Sequence, residues 1–256
     1  MAAALPEFWS ARTHSCRGVV LDVDGLVVCL TGVPAEPFNP TLVARTPEDV
    51  DGALVAAAEH CRGVGLAVGI DLEPSIHRDV RDGARRGGLS LVESRPGMAL
   101  DVSGLRSAPD PGGIEVRRVV DEATLAKVTE ADAIAFDVEP TLTKAFLPPA
   151  ALDDPVQRVF AAFHGEEVVG AGESFLADGV LGVFGISTVP AFRRRGIAAA
   201  VTSRLIEDGA GEADLAVLQS SKLGLGVYER LGFRKMSTWE VWSTAVPNVA
   251  SPAGSQ

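Results

Sequence analysis

One order of elements occurs twice in this chain, and it restricts the folds open to it more than any other feature. A helix begins near residue 47 and another near 194. Each is followed by an apolar strand (near 64 and 214), a second helix (near 75 and 223) and a Gly-apolar pair, Gly88-Leu89 and Gly232-Phe233, that opens a further strand. Strands alternating with helices at this spacing imply an α/β architecture, a mixed sheet with helices packed on it. The offset between the copies is nearly constant, so a degenerate internal repeat is the economical account, with chance recurrence of a common order as its rival. The length agrees: 256 residues and 26.6 kDa exceed what one domain of ~100–200 residues needs, although one large α/β domain would also fit. The segment 103–113, SGLRSAPDPGG, interrupts the periodic sequence with two prolines and three glycines. The expected organisation is a first domain at 1–106, a linker at 107–113, a second domain at 114–245 and a disordered tail at 246–256.

Local patterns fill in the elements. Asp24-Gly25 between β-branched runs predicts a hairpin. Thr46-Pro47-Glu48-Asp49 starts a helix that carries Val50, Leu54 and Ala57 on one face and stops at Gly63. VGLAVGIDL reads as a buried strand, residues 74–88 as a short helix, and LSLVES and GMALDV as two strands. In the second half, a strand at 114–121 and a helix at 121–136 precede three strands predicted to form an antiparallel meander, VQRVFAAF, VVGAGESFLA and VLGVFGISTV. A helix from about Arg194 to Asp208, the strand DLAVLQS, a short helix near 227–231 and a last strand FRKMSTWEVW follow.

Composition excludes several functions. Hydrophobic residues at 46% and charged residues at 22% support a sizeable core. A formal net charge of −11 repels phosphate backbones and argues against nucleic-acid partners. Cys16, Cys29 and Cys61 are too few and too loosely spaced for a disulfide framework or a zinc site and read as buried thiols; no metal is expected. The first residues lack a charged segment followed by an apolar one, and no run approaches the ~18 apolar residues of a membrane span. The expectation is a cytoplasmic protein without membrane attachment. Asp22-Val23-Asp24-Gly25 resembles the nucleophile motif of haloacid-dehalogenase phosphatases, whose chemistry also needs a downstream lysine. The four lysines are at 127, 144, 222 and 235, all beyond the linker, and Leu26 replaces the usual Thr or Val. A hairpin turn is the better reading.

Two blocks carry chemistry. In residues 185–201, GISTVPAFRRRGIAAAV, a buried strand and a Pro-marked turn lead through Arg193-x-x-Gly196-x-Ala198 into an amphipathic helix. The unpaired N–H groups of a helix start can hold a pyrophosphate, Gly196 lets an anion approach the backbone, and Arg193, Arg194 and Arg195 form the densest basic run of an acidic chain. In residues 218–233, a strand end precedes Ser221-x-x-Gly224-x-x-x-Tyr228-x-x-Leu231-Gly232-Phe233. Tyr228 is the one tyrosine of the chain, and its phenol is neutral at pH 7 and able to donate a proton.

Together these blocks resemble the GNAT superfamily of acetyl-CoA-dependent N-acetyltransferases, from about Ile114 to Trp242. The resemblance implies two GNAT-like domains, each a central twisted mixed β-sheet flanked by helices. It implies that the amides of Arg194, Arg195, Gly196, Ile197, Ala198 and Ala199, with Arg193, hold the CoA pyrophosphate. A bulged strand Ile186, Ser187, Thr188, Val189 would bind pantetheine, and Ser221 and Gly224 would complete the cofactor set. Glu173 would be the general base and Tyr228 would protonate the leaving thiolate. Ala198 where glycine is commoner and a third arginine at 195 are the departures. The first half resembles the degenerate second GNAT-like domain of bacterial tandem members through Gly88, Leu89, Pro96, Gly97 and Met98. It lacks both the Arg-x-x-Gly loop and a tyrosine, so it is not expected to bind acetyl-CoA.

The implied reaction is direct attack of a primary amine on acetyl-CoA within a ternary complex. The acceptor would be a small molecule, a protein lysine or an N-terminal amine, received by the Pro-rich segment 132–153, either a lid or a plain surface loop. A non-catalytic acyl-CoA sensor or interaction module is the alternative, and both monomer and homodimer remain open.

Overall fold

The computed structural model describes residues 4–244; the tail expected at 246–256 lies outside them. The described chain packs as two units, one made of residues 4–96 with 237–244 and the other of Gly97–Met236. These divisions fall at Pro96/Gly97 and Met236/Ser237, not at the irregular 107–113 segment.

The first unit opens with α1 (Ala4–Ser15) and the antiparallel pair β1 (Val19–Val23) and β2 (Leu26–Leu30). Asp24 and Gly25 have φ of 49° and 89°, the left-handed pair that matches the twist of a two-residue hairpin. β3 (Pro40–Val43) pairs antiparallel with β2, and α2 (Val50–Gly63) carries the chain over to β4 (Gly69–Leu72), parallel to β3. The strand expected over VGLAVGIDL is therefore confined to its last four residues. α3 (Arg78–Arg86) follows. The core joins Leu26, Val28, Val43, Leu54, Ala57, Ile70, Leu72 and Val80 to Trp242. The composition gave no hint of α1, because it buries Arg12 and Thr13 as well as Leu5 and Phe8 and so shows no clean apolar stripe.

The two strands expected from LSLVES and GMALDV are one continuous strand, β5 (Ser90–Asp101). Its residues up to Pro96 belong to the first unit and those from Gly97 to the second.

The second unit continues with β6 (Glu115–Arg118), α4 (Glu122–Phe136), α5 (Pro140–Phe146) and a 3-10 turn at Pro149–Leu152. The 132–153 segment is thus largely helical, not a loop. The meander is present: β7 (Gln157–His164), β8 (Glu167–Ala177) and β9 (Val180–Thr188) pair antiparallel in sequence order. α6 (Ile197–Gly209) leads to β10 (Leu215–Gln219), parallel to β9, and α7 (Leu225–Leu231) leads to β11 (Arg234–Ser243). Met98, Phe160, Leu181, Ile197, Leu205, Leu218, Leu231 and Phe233 share one core.

The closing strands are exchanged. In the second unit, β10 pairs antiparallel with β5, Leu215 opposite Asp101 through Gln219 opposite Gly97. In the first, β4 pairs antiparallel with the end of β11, Leu72 opposite Glu240 through Gly69 opposite Ser243. Each half of the sequence supplies a strand to the other half's unit. The repeated Gly-apolar pairs precede these strands. Gly88 and Gly232 both have positive φ (84° and 105°) after their helices, where a side chain would be strained, while Leu89 and Phe233 enter the two cores.

Candidate active site

The turn from β9 into α6 is built to leave donors free. Gly196 caps α6 at φ 84°, with no side chain capping the helix and no acidic residue in its first turn. The first helical bond of this turn runs from Ala200 N–H to Gly196 O at 3.0 Å. The N–H groups of Ile197, Ala198 and Ala199 therefore lie where an α-helix provides no internal partner, at the positive end of its dipole. Arg194 is also left-handed, at φ 63°. Left-handed residues in such a turn can gather successive amides into an anion-binding concavity.

The three arginines have different tasks. Arg193 is tied to backbone: Nη2 donates to Ala135 O at 2.9 Å and Nε to Thr188 O at 3.3 Å, which fastens the end of β9 to α4. Arg195 lies over the Phe192 ring at 4.8 Å. Arg194 is exposed and has no hydrogen-bond or ion-pair partner among the described residues. None of the three is neutralised by a carboxylate there. Gly196 has a second reason to be glycine that differs from the sequence reading: a Cβ would sit 3.2 Å from the ring of Pro109. The space beside its Cα is filled by the supposed linker, so an anion would meet the following amides instead.

β9 and β10 separate beside this turn. Their parallel ladder covers Val180 to Gly182 against Leu215 to Val217. Beyond it β10 stays with β5 while β9 stays with β8. Val189 N–H is donated to Val169 O at 2.9 Å, so by alternation the backbone groups of Thr188 and Ile186 point to the edge away from β8. The bulge expected near Ile186–Val189 lies just before it: Ala171 faces Ser187 but Glu173 faces Phe184, one extra residue on β9, with Gly185 at φ 60°. Ser187 is buried; its Oγ donates to Asp132 Oδ1 at 2.6 Å and accepts Ala171 N–H at 3.1 Å. Thr188 Oγ1 is buried and without a partner, a polar atom that an added extended ligand could satisfy.

Glu173 and Tyr228 are both interior. Glu173 is 7% exposed, packs against Gly185, and accepts Gln157 Nε2–H at 3.0 Å through Oε2. Tyr228 stacks edge-on against Phe233 at 5.8 Å. Its ring also covers Gly224, where a Cβ would come within 2.9 Å of it. Burial pushes the phenol up to about 12, so it stays protonated through the physiological range. The Ser221 hydroxyl accepts Gly224 N–H at 3.1 Å and is thus occupied in shaping the turn before α7.

Three contributors escaped sequence reasoning: Pro109, Asp132 and Gln157. Each touches its partner through packing, and no local spacing signals it. Gln157 also lines a cavity of about 170 Å³ with Val119, Ala151, Leu152 and Val159, which is too small for a nucleotide-bearing ligand.

In the first unit the carboxylates of the phosphatase-like motif serve the backbone. Asp22 Oδ1 accepts Gly25 N–H at 2.7 Å, and Asp24 Oδ2 accepts Glu48 N–H at 2.7 Å and Asp49 N–H at 3.3 Å. Asp24 Oδ1 takes Arg45 at 3.0 Å, a bond that, with these amides, holds its carboxyl below the usual range. Among the described residues no group of three or more His, Cys, Asp or Glu is placed to hold a metal, and no helix is long and apolar enough to cross a membrane.

Residues 125–233 match the acetyltransferase (GNAT) family. No curated protein matches the sequence. Among solved structures, a GCN5-related N-acetyltransferase from Kribbella flavida superposes with a TM-score of 0.73 at 21% identity, covering 95% of this chain and 96% of that one. A GCN5-related N-acetyltransferase from Sphaerobacter thermophilus gives 0.60 at 18% identity over 76% and 66%. A tandem GNAT protein from the clavulanic acid biosynthesis pathway gives 0.62 at 13% identity over 86% and 78%.

Proposed function

We propose, from the match of residues 125–233 to the acetyltransferase (GNAT) family, that the chain transfers an acetyl group from acetyl-CoA to a primary amine by direct attack in a ternary complex. The observation that carries this reading is the start of α6: amides at Ile197 to Ala199 that no side chain caps, beside three arginines that no carboxylate among the described residues neutralises. Three positive charges at the positive end of a helix dipole repel it and one another unless an anion accompanies them, and in a chain of net charge −11 they give this site a local positive field. The CoA pyrophosphate supplies that anion.

Acetyl-CoA would contribute the activated thioester; the protein's groups bind, orient and move protons. The amides of Arg194 to Ala199 hold the pyrophosphate, with Arg194 as the mobile counter-charge and Arg193 holding the loop to α4. The open edge of β9 at Ile186 and Thr188 offers backbone groups to pantetheine, as an added strand would use them. Ser221 and Gly224 shape the turn on the β10 side. Holding the thioester and amine in line supplies much of the acceleration. Glu173, beside the bulge at Gly185, accepts the ammonium proton directly or through water, and a β9 N–H polarises the carbonyl as charge develops. Tyr228 donates to the departing sulfur. Its phenol stays protonated through the physiological range, so it keeps a hydrogen bond to the sulfur that strengthens as negative charge develops there, and it is the proton source for the departing thiolate.

A thiol-release screen of acetyl-CoA against a diamine, an aminoglycoside and a lysine peptide tests the reading. Amine-dependent release is the expected result. A melting-temperature increase with acetyl-CoA but no release with any amine would favour the acyl-CoA sensor; no increase at all would remove both readings. Monomer or homodimer, cytoplasmic location and the first unit's failure to bind acetyl-CoA complete the proposal.

A further inference from the structure

Gln157, at the first position of β7, is 2% exposed and donates Nε2–H to Glu173 Oε2 at 3.0 Å. The ladder sets up this contact: Val159 stands opposite Glu173, and Gln157, two residues away on the same face, is its diagonal neighbour. An ionised carboxylate only accepts hydrogen bonds, so the amide must turn its nitrogen to Glu173 and its oxygen elsewhere. That oxygen, Oε1, is buried with no partner. An unpaired buried carbonyl is destabilising. Gln157 shares its cavity with Val119, Ala151, Leu152 and Val159 and with Arg118 and Arg158.

We propose that Gln157 is a positioning residue for Glu173: it fixes Oε2, favours the ionised form, and keeps the other carboxylate oxygen against the bulge at Gly185. The inference rests on Glu173 being the base. Several groups around the pair can be named. β7 contributes Val159, β9 contributes Phe184 and Gly185, and the carboxylate that α4 places against this face of the sheet is Asp132, bonded to Ser187 Oγ. Lys144 and Glu130, on α5 and α4, pair with each other at 3.4 Å on the exposed side.

The test reads Glu173 directly in the full chain. Glutamate carboxyls are labelled with carbon-13, and the Glu173 resonance is assigned by its loss in Glu173→Gln. Gln157→Met keeps the length and removes the donor. The Glu173 midpoint is expected to rise by about one pH unit, and further in Gln157→Glu, where two carboxyls share the site. The acidic limb of the turnover–pH profile with the best amine of the screen moves upward with the Glu173 midpoint, while the acetyl-CoA melting shift stays at the wild-type value. An unmoved midpoint in both variants overturns the proposal even if turnover falls, since packing damage alone would do that. A moved midpoint together with wild-type turnover in Glu173→Gln would instead overturn Glu173 as the base, and the catalytic purpose of Gln157 with it.

Discussion

The starts of α2 and α6 occupy corresponding places in the two halves and meet the same electrostatic problem in opposite ways. At α2 the chain supplies its own anions: Asp49 caps the helix by accepting Gly52 N–H at 3.0 Å, and Asp24 reaches from the hairpin to the amides of Glu48 and Asp49. At α6 the cap is a glycine, the preceding residues are arginines, and no side chain takes the amides. A helix start presents donors in either case. What differs is whether the protein fills them or leaves them for a ligand. At the start of α2 two aspartates therefore take the backbone donors, whereas at the start of α6 no side chain among the described residues does.

The largest test of this contrast is to separate the halves. Because residues 97–101 pair with β10 and bury Met98 and Leu100, a fragment of residues 97–236 is expected to fold and to keep its acetyl-CoA melting shift. A fragment of residues 114–245 lacks that strand. Burial of the two side chains alone contributes ~1.5–3 kcal/mol each, a large part of a ~5–15 kcal/mol stability, so the shorter fragment should melt without cooperativity. Circular dichroism on both decides; equal stability would refute the exchange.

Next in size are the reacting groups. Glu173→Gln should lower turnover by roughly 10²-fold or more, with the acetyl-CoA melting shift intact. Tyr228→Phe should lower it less, also without weakening acetyl-CoA binding. Steady-state thiol release and thermal shift separate the two effects, and unchanged turnover in Tyr228→Phe would remove it as the acid.

The loop should respond in the opposite sense. Arg194→Ala is expected to weaken acetyl-CoA binding several-fold with little change in kcat, because it loses a counter-charge and no reacting atom. Gly196→Ala should cost more, through its positive φ and the Pro109 ring, and calorimetric titration would rank the two.

The smallest effect is expected at α2. Asp49→Ala should destabilise the chain by about 1 kcal/mol and leave acetyl-CoA affinity alone. Asp24→Asn should also destabilise. Its carboxyl is held below the ordinary value, so this contribution is present above the unfolded value and disappears as pH falls through the folded one. In urea melts the gap between wild type and Asp24→Asn should therefore be largest near pH 7 and should narrow as the pH is lowered through the acid range.

Local chemistry was legible in the sequence. The hairpin at Asp24-Gly25, the meander, the helix starts and the Arg193 to Gly196 run follow from turn residues, periodicity and caps, all set by residues a few positions apart. The sequence also showed where the halves differ, because only one has an arginine-glycine loop and a tyrosine. Tertiary structure decided what depends on distant partners. It joined residues 90–101 into one strand and exchanged the closing strands; it set Pro109 on Gly196, sent Asp24 to cap the entry of α2, and paired Gln157 with Glu173. Register and side-chain direction across a ladder determine such contacts, and a linear pattern carries neither until the strands are paired.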